Sequence, residues 1–229
     1  MKGTLDTRLS PFGVPLVIHF TAGIWLLLLV GPFGLLAAIA MTLVIMLSVV
    51  AHEYGHVWAA QRLGIGTRVV MLHGFGGAAI SDEPFIFHPP GTEVKVALAG
   101  PAVSVVLAGL GYLGAYLFAK VSVVGLVFSY MFFINTLLAV FNLLPIFPMD
   151  GGRVLRGLLT NRLGAAKAVS AAAITTYVFG TGIAALGLAS GNVMLALIMG
   201  AVMFMAYRER KHTLSLLDGS FYESTWYQE

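Results

Sequence analysis

Residues 52–56 read His-Glu-Tyr-Gly-His. On a helix, His52 and His56 stand one turn apart on one face, with Glu53 beside them. Two imidazoles at that spacing supply two ligands for a zinc ion, and the carboxylate can act as general base toward water. This is hydrolytic chemistry in an unusual setting. Residues 9–51 contain no Asp, Glu, Lys or Arg, so the group ends an apolar stretch long enough to cross a bilayer. Ionisable side chains in lipid are costly and mark function. The same pattern arises by chance as the charged face of a soluble helix; the apolar run weighs against that reading.

A catalytic zinc takes three protein ligands and keeps one position open. With no cysteine in the chain, thiolate ligands are excluded. The ten acids are Asp6, Glu53, Asp82, Glu83, Glu93, Asp150, Glu209, Asp218, Glu223 and Glu229. Only Glu53 and Asp150 adjoin long apolar spans in motif-like surroundings. Asp150 ends the run Asn142-Leu-Leu-Pro-Ile-Phe-Pro-Met-Asp150 and is followed by Gly151 and Gly152. Pro145 and Pro148 break a helix and free backbone groups, which membrane depth tolerates only inside protein or beside water. The two glycines allow close approach and a sharp turn. Asp150 as a helix cap or turn residue is the plainer alternative.

These residues need a scaffold, and the composition names its class. Hydrophobic residues make up 59% of the 229 and charged residues 10%, well below the quarter usual in soluble domains. The net charge of +3 does not point to nucleic acid, because the charges cluster between apolar spans. About six spans are predicted, at 14–31, 33–62, 94–119, 121–144, 165–189 and 191–207, with Pro32 turning the first into the second. The fold class is an all-α polytopic membrane protein of about six transmembrane helices, with a small β-hairpin or re-entrant strand after the second. A core is expected over 1–207 and a short cytoplasmic tail over 208–229. The first span follows Lys2 and Arg8 and ends without a clean cleavage motif, so it reads as a retained anchor. With the N-terminus in the cytoplasm, Lys120 alone of the thirteen Lys and Arg residues falls outside. That bias places both termini in the cytoplasm, and the basic residues between spans read first as orientation signals.

The pair of motifs, HEYGH and then NLLPIFPMDGG, resembles the site-2 protease family of intramembrane zinc metalloproteases. Gly74-Phe75-Gly76-Gly77-Ala78-Ala79 resembles its glycine-rich loop, and Val17-Ile18-His19 also resembles members. The resemblance runs over most of the chain but includes neither the PDZ insertion nor the CBS extension of many members. It implies that His52, His56 and Asp150 bind one catalytic Zn2+ and that Glu53 is the base. Asn142 matches the family's Asn beside the active site, a candidate for holding substrate or oxyanion. Regulated intramembrane proteolysis in a prokaryotic cell membrane is the implied function, with transmembrane proteins as substrates and the lipid bilayer as surroundings.

A peptide bond inside a transmembrane helix is shielded, so the substrate must unwind. Residues 69–80 are predicted to form a strand or hairpin whose edge pairs with the unwound substrate, and Gly76 and Gly77 clear space for it. The plainer alternative for the glycines is a tight turn, and for Asn142 the freed carbonyls of the helix break. His19 reads as a packed histidine, and His73, His88 and His212 as solvent-facing residues of loops or tail. Asn135 reads as an interhelical hydrogen-bonding residue. Two other function classes fit the residues less well. A zinc transporter would spread ligands along a path, and a catalytically dead scaffold would have lost Glu53 or Asp150. A metalloprotease with Glu as third ligand lacks a second embedded Glu. No oligomeric state follows from the sequence.

Overall fold

The computed structural model describes residues 4–7, 9–74 and 76–219. The basic residues Lys2 and Arg8, Phe75 of the glycine-rich stretch, and 220–229 of the expected tail lie outside the described residues. The chain is mostly helical with one small sheet, and it forms two compact units, Met1–Pro84 with Leu98–Phe141 and Phe85–Ala97 with Asn142–Glu229.

The first unit opens with strands β1 (Thr4–Asp6) and β2 (Leu16–His19), then a short helix α1 (Ile24–Phe33) and the long helix α2 (Leu35–Arg62). Strands β3 (Thr67–His73) and β4 (Gly76–Ser81) follow. The sheet order is β1-β2-β3-β4, with β2 and β3 parallel and the other pairs antiparallel. Residues 69–80 thus form the expected hairpin, but inside a larger sheet. Helices α3 (Pro90–Leu117) and α4 (Ser122–Asn142) come next. The second unit contains the first turns of α3, then α5 (Asp150–Leu163), α6 (Ala165–Ala189) and α7 (Val193–Leu217).

Four helices among the described residues are long and apolar enough to cross a membrane, at Leu35–Arg62, Pro90–Leu117, Val123–Asn142 and Ala165–Ala189. The expected count was about six. The first expected span fails because Leu16–His19 pairs as a strand, which leaves α1 only ~15 Å long over Ile24–Phe33. Pro32 does not make the turn. It lies inside α1, and Gly34, at φ +76°, breaks the chain. In the last expected span, the apolar part of α7 ends at Tyr207, and the helix continues through Arg208–Lys211 to Leu217. Helix α5 lies outside the predicted spans, since its polar sequence has no span signal.

Apolar residues on the outer faces support a lipid environment. Leu35, Leu36, Leu43 and Leu47 of α2 are exposed, as are Val105, Val106 and Leu113 of α3 and Leu126, Phe133 and Phe141 of α4. Water would penalise such surfaces, whereas lipid chains do not. The chain is an integral membrane protein.

The buried seam of α2 runs through Ala38, Thr42, Ile45, Val49, His52 and His56, steps of three and four that keep one helical face inward. Asn135 of α4 donates to Ser48 Oγ on that helix at 2.9 Å and to the Met131 carbonyl at 2.9 Å, the expected interhelical bond. In the second unit, α6 buries Ala168, Ala172, Ala173, Thr176 and Gly180. Small residues let helices approach closely where lipid gives no hydrophobic drive. A Cβ on Gly180 would come within 2.8 Å of Met203 Cγ on α7.

Candidate active site

Helix α2 delivers His52, Glu53 and His56 by periodicity alone. All three are buried, and the two imidazole centroids lie 4.9 Å apart, edge to face. His52 Nδ1 is 2.9 Å from Ser104 Oγ, a fully buried hydroxyl on α3. A histidine that ligates a metal through one ring nitrogen usually has the other fixed by an outer partner, and Ser104 stands in that place toward Nδ1. Both Nε2 atoms converge on Gly100 of α3. A Cβ there would run into His56 Nε2 and approach His52 Nε2 to 2.7 Å. Gly55 serves the same approach, since its Cβ would meet the Ala99 carbonyl at 2.9 Å. Two buried imidazoles whose Nε2 atoms converge suit a zinc ion.

Glu53 faces the sheet. A Cβ on Gly77 would lie 2.5 Å from Glu53 Cγ and 2.9 Å from Oε1. The missing side chain at Gly77 therefore makes room for the carboxylate itself. Gly76 is different: a Cβ there meets nothing within 4 Å, but φ of +129° suits only glycine. Strand β4 ends the sheet, and among the described residues it pairs only with β3.

The region around Asp150 is built by another route, within the second unit. Helix α4 ends at Asn142, as the prolines require, and the backbone runs irregularly to Met149. Asn142 is half-buried. The Phe147 amide donates to Thr176 Oγ1 at 2.9 Å, and that fully buried hydroxyl donates to the Ala172 carbonyl at 3.0 Å. Freed backbone is thus satisfied inside protein. Asp150, buried at 6% exposure, opens α5. Gly151 and Gly152 are helical and make no sharp turn. Their value is close approach: a Cβ on Gly151 would strike the Leu143 and Leu144 carbonyls, and one on Gly152 would reach 2.8 Å from Phe147 N.

Asp150 Oδ1 lies 3.6 Å from Arg153 Nη1. Arg153 also approaches Glu93 Oε1, at 3.9 Å. Arg156 donates through Nε to both oxygens of Glu93, at 3.1 and 3.2 Å, again through Nη2, and through Nη1 to Glu209 at 2.6 Å. Burial alone would pull the Arg156 guanidinium down. The charge and hydrogen bonds of Glu93, and then those of Glu209, instead hold it above its ordinary value. Arg153 and Arg156 are thus more than orientation signals. Sequence reasoning missed Glu93, buried at 4% exposure. The spacing of Asp150, Arg153 and Arg156 marks one polar helical face, but nothing near Glu93 in the sequence pairs it with that face.

His52, Glu53, His56, Gly76 and Gly77 belong to the first unit, and Asn142 and Asp150 to the second. His19 Nδ1 lies 2.8 Å from Thr21 Oγ1, and its ring packs on Phe20, a structural histidine. His73 is not in a loop; it ends β3 and is half-buried, as is His88, while His212 is exposed on α7.

An integral membrane protein with a buried HExxH helix and a second, acid-bearing motif defines the class. The sequence profile of peptidase family M50 matches residues 40–124 and 116–186, and the chain belongs to that family. The zinc metalloprotease MJ0392 of Methanocaldococcus jannaschii is 31% identical over 203 residues, 87% of this chain and 58% of that protein. Rip3 of Mycobacterium tuberculosis is 34% identical over 215 residues, 89% of this chain and 50% of that protein. The chain thus spans about half the length of these relatives. The solved structure of the site-2 protease from Methanocaldococcus jannaschii matches with a TM-score of 0.67 at 28% identity, over 90% of this chain and 95% of that one. The resemblance read from the two motifs is borne out.

Proposed function

We propose that this protein is an intramembrane zinc metalloprotease that cuts a peptide bond within or near a transmembrane segment of other membrane proteins. The observation that carries the reading is the buried His52–Glu53–His56 turn, with both Nε2 atoms converging beside Gly100 and Glu53 beside strand β4. His52, His56 and Asp150 are each buried, and each offers a metal-ligating atom. They are the three residues we assign to zinc. When bound, zinc supplies Lewis-acid activation of water and of the scissile carbonyl.

The chain's own residues do the rest. Glu53 accepts a proton from the attacking water and returns it to the leaving amine. Ser104 holds the His52 ring, accepting from Nδ1–H when Nε2 is the ligand. Among the described residues no further strand covers the outer edge of β4, so an extended substrate can pair along it, and Gly76 and Gly77 leave that edge without side-chain bulk. Asn142, at the end of α4, is assigned to hold substrate. Both termini are placed in the cytoplasm by the basic residues.

The test is incubation of the purified protein with candidate transmembrane substrates, with and without a zinc chelator, alongside metal analysis. Cleavage that the chelator abolishes and zinc restores is expected. Cleavage indifferent to the chelator would overturn the reading. Asp150→Ala should bind less zinc at limiting metal, and unchanged binding would assign the third ligand elsewhere.

A further inference from the structure

Arg156, Glu93, Glu209 and Arg153 are tied to one another, and the chain of ties reaches the Asp150 carboxylate. Arg156 is buried and grips both oxygens of Glu93 through its planar fork, a geometry lysine does not reproduce. Its other arm holds Glu209, and its guanidinium lies 5.3 Å from the centre of the Phe147 ring. Gly157 permits this grip. A Cβ there would come within 2.7 Å of Val94 Cγ2 and 3.1 Å of the Pro90 carbonyl, at the start of α3. Glu93, fixed in this way, is one partner of Arg153. The second partner is the Phe85 ring, 5.0 Å from the Arg153 guanidinium carbon, within cation–π range. The third is Asp150.

We propose that Arg153 is a positioning residue for Asp150, aiming its carboxylate toward zinc, and that Glu93 and Arg156 act through Arg153. The proposal rests on Asp150 being the third metal ligand. A cation beside a metal ligand needs an offset, and the cluster contains one. Asp150, Glu93 and Glu209 set three carboxylates against the two guanidiniums of Arg153 and Arg156, which leaves one negative charge to meet a metal. Arg153 therefore orients the carboxylate without cancelling the charge of the site. Fixing a ligand through an outer partner of this kind typically sustains metal affinity about 10–100-fold.

The experiment is cobalt(II) binding to the full chain in detergent, followed by the visible spectrum of the bound ion, which reports ligand geometry. Arg153→Gln and Glu93→Gln are each expected to weaken cobalt affinity by about 10–100-fold and to shift the spectrum. Arg153→Lys, which keeps the charge and loses the fork, should recover part of the affinity. Arg68→Gln, which removes an exposed ion pair with Asp82, should change neither reading. Arg153→Gln with the affinity and spectrum of the parent overturns the inference. Should that variant fail to fold, Glu93→Gln and Arg153→Lys decide: a shifted spectrum in either folded protein supports the inference, and parental spectra and affinities in both overturn it. Asp150→Ala runs in the same assay. Normal cobalt binding there overturns the ligand assignment and the inference together. Defective Asp150→Ala beside normal Arg153→Gln overturns the inference alone.

Discussion

Helix α2 and the 142–153 segment hold their chemical side chains in opposite ways. His52, Glu53 and His56 ride on a continuous helix whose inward face is set by periodicity. Their neighbours contribute mainly emptiness, at Gly55, Gly77 and Gly100. Asp150 follows an irregular stretch, and its surroundings are made of individual bonds, from Phe147 to Thr176, from Arg153 to Asp150 and from Arg156 to Glu93. Regular backbone fixes direction without help and is vulnerable to crowding. Irregular backbone depends on each partner it has recruited. Both regions are closed to added atoms at their glycines, but only the second should also be broken by removing a bonded partner.

The largest effect expected leaves both supports intact and removes only chemistry. Glu53→Gln keeps the shape of α2 but no longer accepts a proton. Cleavage should fall by roughly 10²–10⁴-fold while zinc content stays near parental. Substantial turnover by that variant would remove Glu53 as the base.

Adding atoms comes next. Gly100→Val places side-chain carbons where the two Nε2 atoms converge. Overpacking of this kind costs about 1–3 kcal/mol, and bound zinc should fall well below one per chain, as elemental analysis would read. Full zinc occupancy would mean that the cradle is wider than the structure shows. The complementary deletion is Thr176→Val, which keeps the volume but leaves the Phe147 amide without its acceptor. An unsatisfied buried donor costs about 1–3 kcal/mol, measurable as a lower unfolding midpoint in detergent. A midpoint equal to the parent's would show that the irregular segment holds itself.

The same contrast explains what was legible in the sequence. The proposed ligand pair, the proposed base and the apolar face of α2 are periodic features, and period survives in one dimension. The break after Asn142 was legible because proline cannot continue a helix. Three things were hidden. Leu16–His19 reads as part of an apolar span, and only its pairing with β1 on one side and with residues 70–72 of β3 on the other makes it a strand. Helix α5 is polar and short, with no hydropathy signal. Glu93 lies 63 residues from Arg156, and nothing local pairs them. Ser104 and Gly100 likewise look like ordinary small residues of a membrane helix, and only the fold brings them to the imidazoles.

The smallest effect separates two duties of Gly77. Its missing side chain leaves room for Glu53, and the strand that carries it is proposed to grip substrate. Gly77→Ala adds one carbon, 2.5 Å from Glu53 Cγ. The carboxylate must swing aside, at about 0.5–1.5 kcal/mol for an off-rotamer side chain, or roughly two- to tenfold in rate. If clearance for the base is the main duty, kcat falls and KM holds. If the glycine mainly admits the substrate backbone, KM rises and kcat holds. We expect the first result, because the nearest atoms to the added carbon belong to Glu53. Substrates carrying helix-breaking residues near the cut should be cleaved faster by the parent and by Gly77→Ala alike, since their unwinding is partly done before they arrive. A rate advantage for such substrates that disappears in Gly77→Ala would tie Gly77 to unwinding after all, and would return the strand edge to first place.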